Sequence, residues 1–399
     1  FPQVVIPCVT LMILAVGMGY FVYRKGGNLT GATIVAIVLM ALSVWYGKDH
    51  PVTALPVLGE MTSQTWIYLL LAYALLASVL PVWLLLQPRD YLNCFQLYGG
   101  MILMTVAVLL TAPPIVAPMV NKAPMDVPPW FPFLFITVAC GAISGFHSIV
   151  SSGTTAKQLD KPADARSVAY GGMVTEGFLA VLAIIACTAG FASREVWLQT
   201  YSSYAGTDKL KLPTFVHGAA SIISQIGIPE ALGATLISLT VVGFALTTLD
   251  TGTRLLRYNV EEIAKALGFR KTMNRYLSSL IAVLAIGNIA LVRIEGQSVG
   301  LILWQLFGAT NQLLAGLGLL VATLYLLSRR RPFWYTLIPM VFMVIVTGVA
   351  LGINVRDFWR AGERLLTVVG SLILALTIWF VGEACLAYRK ARRLSGAGS

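Results

Sequence analysis

Long apolar runs almost free of charge dominate this chain, and they leave it few folds to choose from. Eleven can be read, at roughly 2–23, 28–47, 64–87, 91–112, 130–156, 167–192, 231–253, 276–293, 298–328, 332–354 and 365–388. Each is about as long as, or longer than, the roughly 20 residues of helix that cross a hydrocarbon core. No water reaches backbone N–H and C=O groups there, so only helices or closed barrels span it. Runs this long without strict alternation select helices. Charged residues make up 11% of the chain and mean hydropathy is +0.80, where soluble domains carry about 25% charge. The expected fold class is all-α: a polytopic membrane protein forming a single transmembrane domain over 1–399.

The formal charge of +11 would suggest a nucleic-acid partner in a soluble chain. Here the basic residues sit between the runs. Alternating the sides puts 19 of the 28 Lys and Arg on one side, among them Arg24, Arg89, Arg254, Arg329 and Arg389. The positive-inside bias makes that side cytoplasmic. Phe1 is then extracytoplasmic, and residues 389–399 form a cytoplasmic tail. Membrane lipids are expected partners and nucleic acid is not. The chain opens without a basic stretch ahead of its first run, so that run does not read as a secretory signal. The five cysteines stand singly in apolar segments with no zinc, haem or iron–sulfur spacing, so no metal and no cofactor is expected.

One run is poor material for facing lipid. From Ser144 to Thr155 it reads Ser-Gly-Phe-His-Ser-Ile-Val-Ser-Ser-Gly-Thr-Thr, within the uncharged stretch 127–156. Glycine lowers helix propensity and lets backbone bend. Loosened backbone at membrane depth is tolerated only against protein or water, where transporters bind ions and substrates. A discontinuous helix is therefore expected near 141–155, opening at Gly145. Gly145, Phe146, His147, Ser148, Ser151, Ser152 and Gly153 are the candidate substrate-binding residues. A continuous helix packed through small residues is the bland alternative.

Other polar groups lie in apolar surroundings. Glu176 sits about ten residues into its run, where an unpaired carboxylate costs a few kcal/mol, so a partner or a shared proton is expected. Thr247, Thr248, Asp250 and Thr251 offer oxygens suited to a hard cation such as Na⁺, with Asp250 alone able to carry a proton. A simple Asp250–Arg254 pair on a helix end is the alternative. Asn311 and Gln312 suit interhelical hydrogen bonds or a pathway lining. Pro81 is expected to kink one helix and Pro88 to end it, with Arg89 pairing with Asp90. In the loop 193–230, Phe215, Ala219, Ile222 and Ile226 fall at helical spacing, giving an amphipathic helix over 213–228 that lies on the membrane or caps the bundle.

These polar segments also carry a resemblance. Residues 81–92 (Pro-Val-Trp-Leu-Leu-Leu-Gln-Pro-Arg-Asp-Tyr-Leu), 131–148, 151–155, 170–173 (Tyr-Gly-Gly-Met), 250–254 (Asp-Thr-Gly-Thr-Arg) and 306–316 (Leu-Phe-Gly-Ala-Thr-Asn-Gln-Leu-Leu-Ala-Gly) together resemble the carbon starvation protein A family, in order across roughly 75–320. The resemblance implies a bacterial inner-membrane importer of pyruvate or peptides, driven by a cation gradient usually described as protons. It also implies kinship with the amino acid–polyamine–organocation superfamily and its LeuT-like inverted repeats, with 130–156 as the broken helix of the second repeat. It implies further helices upstream, including a Gly-rich broken helix that 1–75 does not supply.

The function expected is secondary active import of a small carboxylate, pyruvate first and short peptides second, by alternating access. Backbone near Gly145, with Ser148 and Ser152, would hold the carboxylate. Glu176, His147 or the Asp250 cluster would carry a coupling Na⁺ or H⁺. The rival is a non-transporting subunit packed in a larger membrane complex or against missing N-terminal helices. A hydrolase using Ser151 or Ser152 with His147 lacks a Gly-x-Ser-x-Gly elbow, so an enzyme is not expected.

Overall fold

A computed structural model describes the chain except at 55–58, 123–126, 270–273, 295 and 397–399, and describes backbone alone at 139–140, 205–210 and 390–396. In chain order the α-helices are α1 (Val5–Lys25), α2 (Leu29–Asp49), α3 (Ser63–Val79), α4 (Leu86–Thr111), α5 (Trp130–Ala142), α6 (Gly145–Gly153), α7 (Asp164–Ala189), α8 (Arg194–Thr200), α9 (Tyr204–Ser224), α10 (Glu230–Ala266) and α11 (Arg275–Leu291). A two-residue hairpin, β1 (Arg293–Ile294) with β2 (Gln297–Ser298), leads to α12 (Val299–Ser328), α13 (Trp334–Ala361) and α14 (Arg364–Gly396). Among the described residues eight helices are long and apolar enough to cross a membrane.

The other three expected spans fold differently. Helices α3 and α11 have 17 residues each and rise about 26 Å, short of a core of about 30 Å. The third, 130–156, is divided between α5 and α6.

Side chains set several helix starts. Asn28, Thr62, Ser144, Ser193 and Ser298 each accept a first-turn N–H, for α2, α3, α6, α8 and α12 respectively. Gly26 (φ 64°) and Gly362 (φ 77°) close α1 and α13 in the left-handed conformation.

Some helix ends differ from expectation for local reasons. Helix α10 runs 37 residues instead of stopping at 253, because residues 254–267 contain neither Gly nor Pro. Gly268, at φ 87°, follows its end. The stretch 389–396 continues α14 as helix, being rich in Arg, Lys, Ala and Leu, which favour helix. Pro81 ends a helix where a kink was expected. Leu80 before it is extended (φ −64°, ψ 147°) and α3 stops at Val79. Pro88, expected to end that helix, lies in the first turn of α4, where a missing N–H costs nothing.

The chain divides into two compact units, Phe1–Val127 with Arg166–Gly287, and Pro128–Ala165 with Asn288–Ser399. In the first, α4, α7, α9 and α10 pack around Met101, Met104, Leu182, Ala186, Ile222, Ile223 and Ile237. The amphipathic segment lies within this core: α9 begins at Tyr204, runs through Pro213 and ends at Ser224. Its apolar face is buried, with Ala220, Ile222 and Ile223 fully enclosed. Lipid is as apolar as leucine, so such association rests on close packing and small residues. A Cβ on Gly218 of α9 would overlap the Ala186 carbonyl oxygen of α7.

In the second unit, α12, α13 and α14 share a core of Leu306, Ala309, Leu351, Phe358 and Leu366. Helix α5 adds Ile136 against Val346 and Ala350 of α13.

Gly218→Val is expected to lower the thermal unfolding midpoint of the detergent-solubilised chain through overpacking of about 1–3 kcal/mol. Gly99→Ala is the control, because nothing lies within 4 Å of its Cβ, and it should leave the midpoint unchanged or raise it.

Candidate functional site

The second unit holds the interrupted helix. Helix α5 ends at Ala142 and α6 begins at Gly145. Between them Ser144 is extended (φ −92°, ψ 126°), and its Oγ accepts the His147 N–H at 3.4 Å. The last carbonyls of one helix and the first amides of the next lack intrahelical partners. Helix α12 supplies some of them. Asn311 Oδ1 accepts the Phe146 N–H at 2.8 Å, and the same amide meets the Ser144 hydroxyl at 3.3 Å from Oδ1 and 3.2 Å from Nδ2. Next to it, Gln312 is wholly buried and donates Nε2 to the Ile136 carbonyl of α5 at 3.4 Å. Gln312 Oε1 is buried without a hydrogen-bond partner.

The expected substrate residues occupy different environments. Gly145 is buried, and its missing side chain makes room for α12: a Cβ there would overlap the Asn311 carbonyl oxygen and Leu314. It is a packing position, not an open one. Phe146, Ser148 and Gly153 are half-buried, while His147, Ser151 and Ser152 are exposed. The hydroxyls of Ser148, Ser151 and Ser152 donate to the carbonyls of Gly145 (2.7 Å), Ser148 (2.9 Å) and Ile149 (3.1 Å). Their lone pairs stay available to a donor. His147 and Ser151, four apart, share one face of α6. Asn311 and Gln312, expected in interhelical bonding or a pathway lining, both bond across to the interrupted helix: Asn311 at the break and Gln312 within α5.

The first unit holds a buried ionic cluster. Asp250 of α10 is 1% exposed and Arg89 of α4 is fully enclosed. Arg89 Nη1 pairs with Asp250 Oδ2 and donates to the Tyr73 hydroxyl of α3 at 2.7 Å. Tyr73 in turn donates to Asp250 Oδ2 at 2.7 Å. Arg89 Nη2 lies 3.2 Å from Asp90 Oδ1, which also accepts the Thr247 hydroxyl at 3.3 Å. Asn93 Nδ2 donates to Thr247 Oγ1 at 3.3 Å. With both acids ionised, one guanidinium faces two carboxylates, so the triad carries one negative charge in excess.

Of the residues read as a cation site, the structure brings Asp250 and Thr247 into this cluster. Thr251 is buried on α10, whereas Thr248 is exposed with its hydroxyl on the Phe244 carbonyl. The cation paired with Asp250 among the described residues is the Arg89 guanidinium. Glu176 lies exposed at mid-length on α7 among exposed Gly172, Met173 and Gly177.

Sequence reasoning missed Tyr73 and the roles of Arg254 and Arg257. The Asp250–Arg254 alternative does not form as a hydrogen-bonded pair: Arg254 Nη2 donates to the carbonyls of Ala77 (2.7 Å) and Leu80 (3.0 Å), and Arg257 Nη1 to that of Ser78 (3.0 Å). Two arginines cap the carbonyl end of α3. A signal was present, since Pro81 stops α3 inside an apolar run and leaves carbonyls that need donors. Among the described residues no three His, Cys, Asp or Glu come together to hold a metal ion.

Comparison with known proteins bears on both clusters. The model of the carbon starvation protein CstA family matches residues 1–209 and 193–350. The chain belongs to this family. It is 33% identical to a peptide transporter CstA of Campylobacter jejuni over 84% of this chain and 55% of that protein. It is 32% identical to a peptide transporter CstA of Bacillus subtilis over 92% of this chain and 67% of that protein. With the pyruvate/proton symporter BtsT of Escherichia coli it shares 30% identity over 87% and 59%. The chain spans about half the length of the first of these relatives. No solved structure matches. The matched family region includes α3, α4, α6, α10 and α12, and so both clusters.

The ionic cluster makes a thermodynamic prediction. Arg89→Met or Asp250→Met alone strands a buried charge and should destabilise the chain by about 3–5 kcal/mol. The double variant Arg89→Met/Asp250→Met should recover most of that loss, as read by thermal unfolding in detergent. A double variant as unstable as the sum of the singles contradicts the pairing.

Proposed function

We propose that this chain acts in secondary active import of a small carboxylate across the bacterial inner membrane, with pyruvate the first substrate and short peptides the second. The observation that carries the reading is the opening of the helix at Ile143–Ser144, which leaves the hydroxyls and imidazole of α6 on an exposed face. Relatives named as a peptide transporter and a pyruvate/proton symporter support transport. In this reading the Ser151 and Ser152 hydroxyls rotate away from the Ser148 and Ile149 carbonyls and, with His147, donate to the substrate carboxylate, while Asn311 holds the break in shape. Gly145 contributes close approach to α12 instead of direct contact.

Coupling to H⁺ or Na⁺ falls to three candidates. His147 lies on the same exposed face as the substrate groups. Glu176 is a carboxylate at membrane depth. The Arg89–Asp90–Asp250 triad carries one excess negative charge, which a proton would neutralise. The basic ends of the spans face the cytoplasm, with Ser399 inside and Phe1 outside. Helix interruption beside a long partner helix supports kinship with the LeuT-like inverted-repeat transporters.

A second reading draws on α7. A carboxylate facing lipid at that depth is costly, and Glu176 is exposed beside Gly172, Met173 and Gly177. This favours a face that packs against further membrane protein, as in a larger complex or beside additional helices of a longer transporter.

Uptake of labelled pyruvate into proteoliposomes containing the chain should require an imposed proton or sodium gradient and vanish when a protonophore and a sodium ionophore collapse both. Ser152→Ala should raise KM about tenfold, the loss of one hydrogen bond to a charged group, with little change in maximal rate. Uptake that survives removal of both gradients would sink the symport claim. No uptake alone, restored by a co-purified membrane partner, would favour the second reading.

A further inference from the structure

The second unit contains a concavity that neither the break nor the ionic cluster uses. It lies between α12, α13 and α14, encloses about 460 Å³, and is lined by Leu337, Val341, Val344, Ala384, Trp334 and Tyr388 among others. Its walls are almost wholly apolar. A flat helix face meets lipid without preference, whereas a groove walled on three sides holds one chain in place.

One end of the groove is chemically distinct. Trp334 and Tyr388, residues typical of the membrane–water boundary, line it. Arg329, Arg330 and Arg331 follow α12 directly, and Arg389 follows Tyr388 on α14. The Phe333 and Tyr388 rings lie 6.2 Å apart, which brings the α12–α13 turn and this part of α14 to the same end. The turn is fixed by backbone: Arg330 is left-handed (φ 53°), and the Arg331 N–H donates to the Leu326 carbonyl at 2.9 Å. All three consecutive arginines are exposed, as is Arg389. Arg329 lies 5.6 Å from the centre of the Tyr325 ring. The N-terminus of α13 at Trp334 has no side-chain cap, so its positive dipole end adds to the same field. The acid nearest on α14, Glu383, accepts from Trp379 Nε1 at 3.3 Å and sits more than a turn away from Arg389.

We propose that this groove is a binding site for an anionic phospholipid, with one acyl chain between α12, α13 and α14 and the phosphate held by Arg329–Arg331 and Arg389. Basic pockets between membrane helices hold anionic headgroups in this way. The site rests on neither the transport reading nor the orientation.

The test uses the whole chain in neutral detergent, titrated with phosphatidylglycerol or phosphatidylcholine bearing a brominated acyl chain, with tryptophan quenching as the signal. Phosphatidylglycerol is expected to quench at a several-fold lower mole fraction than phosphatidylcholine. Trp334→Phe should remove part of the phosphatidylglycerol-specific quenching. The triple variant Arg329→Gln/Arg330→Gln/Arg331→Gln should bring the two lipids to nearly equal quenching, since each basic residue at such a site carries up to about fivefold. Unbrominated phosphatidylglycerol should displace the probe, and inorganic phosphate should not. Equal quenching by the two lipids in the unaltered chain, or displacement by inorganic phosphate as effective as by lipid, overturns the proposal. A preference untouched in the triple variant does the same.

Discussion

A backbone amide or carbonyl stranded in hydrocarbon costs several kcal/mol, and this chain interrupts helices twice inside apolar runs. Both interruptions are satisfied in the same manner, by long polar side chains from an adjacent helix. At the gap between α5 and α6, Asn311 of α12 takes the Phe146 N–H and meets the Ser144 hydroxyl, and next to it Gln312 donates to the Ile136 carbonyl within α5. At the end of α3, Arg254 and Arg257 of α10 take the carbonyls of Ala77, Ser78 and Leu80. Each unit therefore pairs one broken or truncated element with one long helix that completes its hydrogen bonding.

The two solutions differ in charge, and that difference suggests different work. A neutral amide holds the α6 break without imposing a field, and the Ser151, Ser152 and His147 side chains of α6 lie exposed beside it. The arginines beside α3 bring positive charge into a buried region, and Arg257 lies 3.8 Å from the Glu261 carboxylate. Buried ion pairs are weak sources of stability, because desolvation offsets most of the attraction. Within the Arg89–Asp90–Asp250 cluster, Asp250 Oδ1 and Arg89 Nε are buried without hydrogen-bond partners.

Much of this was legible in the residues. The apolar runs specified an all-helical membrane fold, and Gly145 between Ser144 and Phe146 located the break to within a residue or two. The role of Gly145 was not legible, because only packing against α12 reveals that its missing side chain serves close approach and not an open pocket. Arg89 was assigned to Asp90, its neighbour in sequence; the contact to Asp250, 161 positions away, depends on how α4 and α10 cross. The ends of α10 and α14 were set too short because hydropathy marks where a helix leaves lipid, not where its backbone hydrogen bonding stops. The helical spacing of Phe215, Ala219, Ile222 and Ile226 fits a helix on the membrane or a cap over the bundle alike; only packing shows that small residues such as Gly218 let α9 enter the core.

The central claim is that α6 presents a polar face to water at membrane depth. Single cysteines at 144–153, introduced after replacing the five native cysteines and treated with a membrane-impermeant charged thiol reagent in sealed vesicles of each orientation, test it most directly. The account predicts rapid modification at 147, 151 and 152, none at 145, and slowing of the former by pyruvate. Uniform resistance to the reagent along the whole segment, from both sides of the membrane, would contradict it.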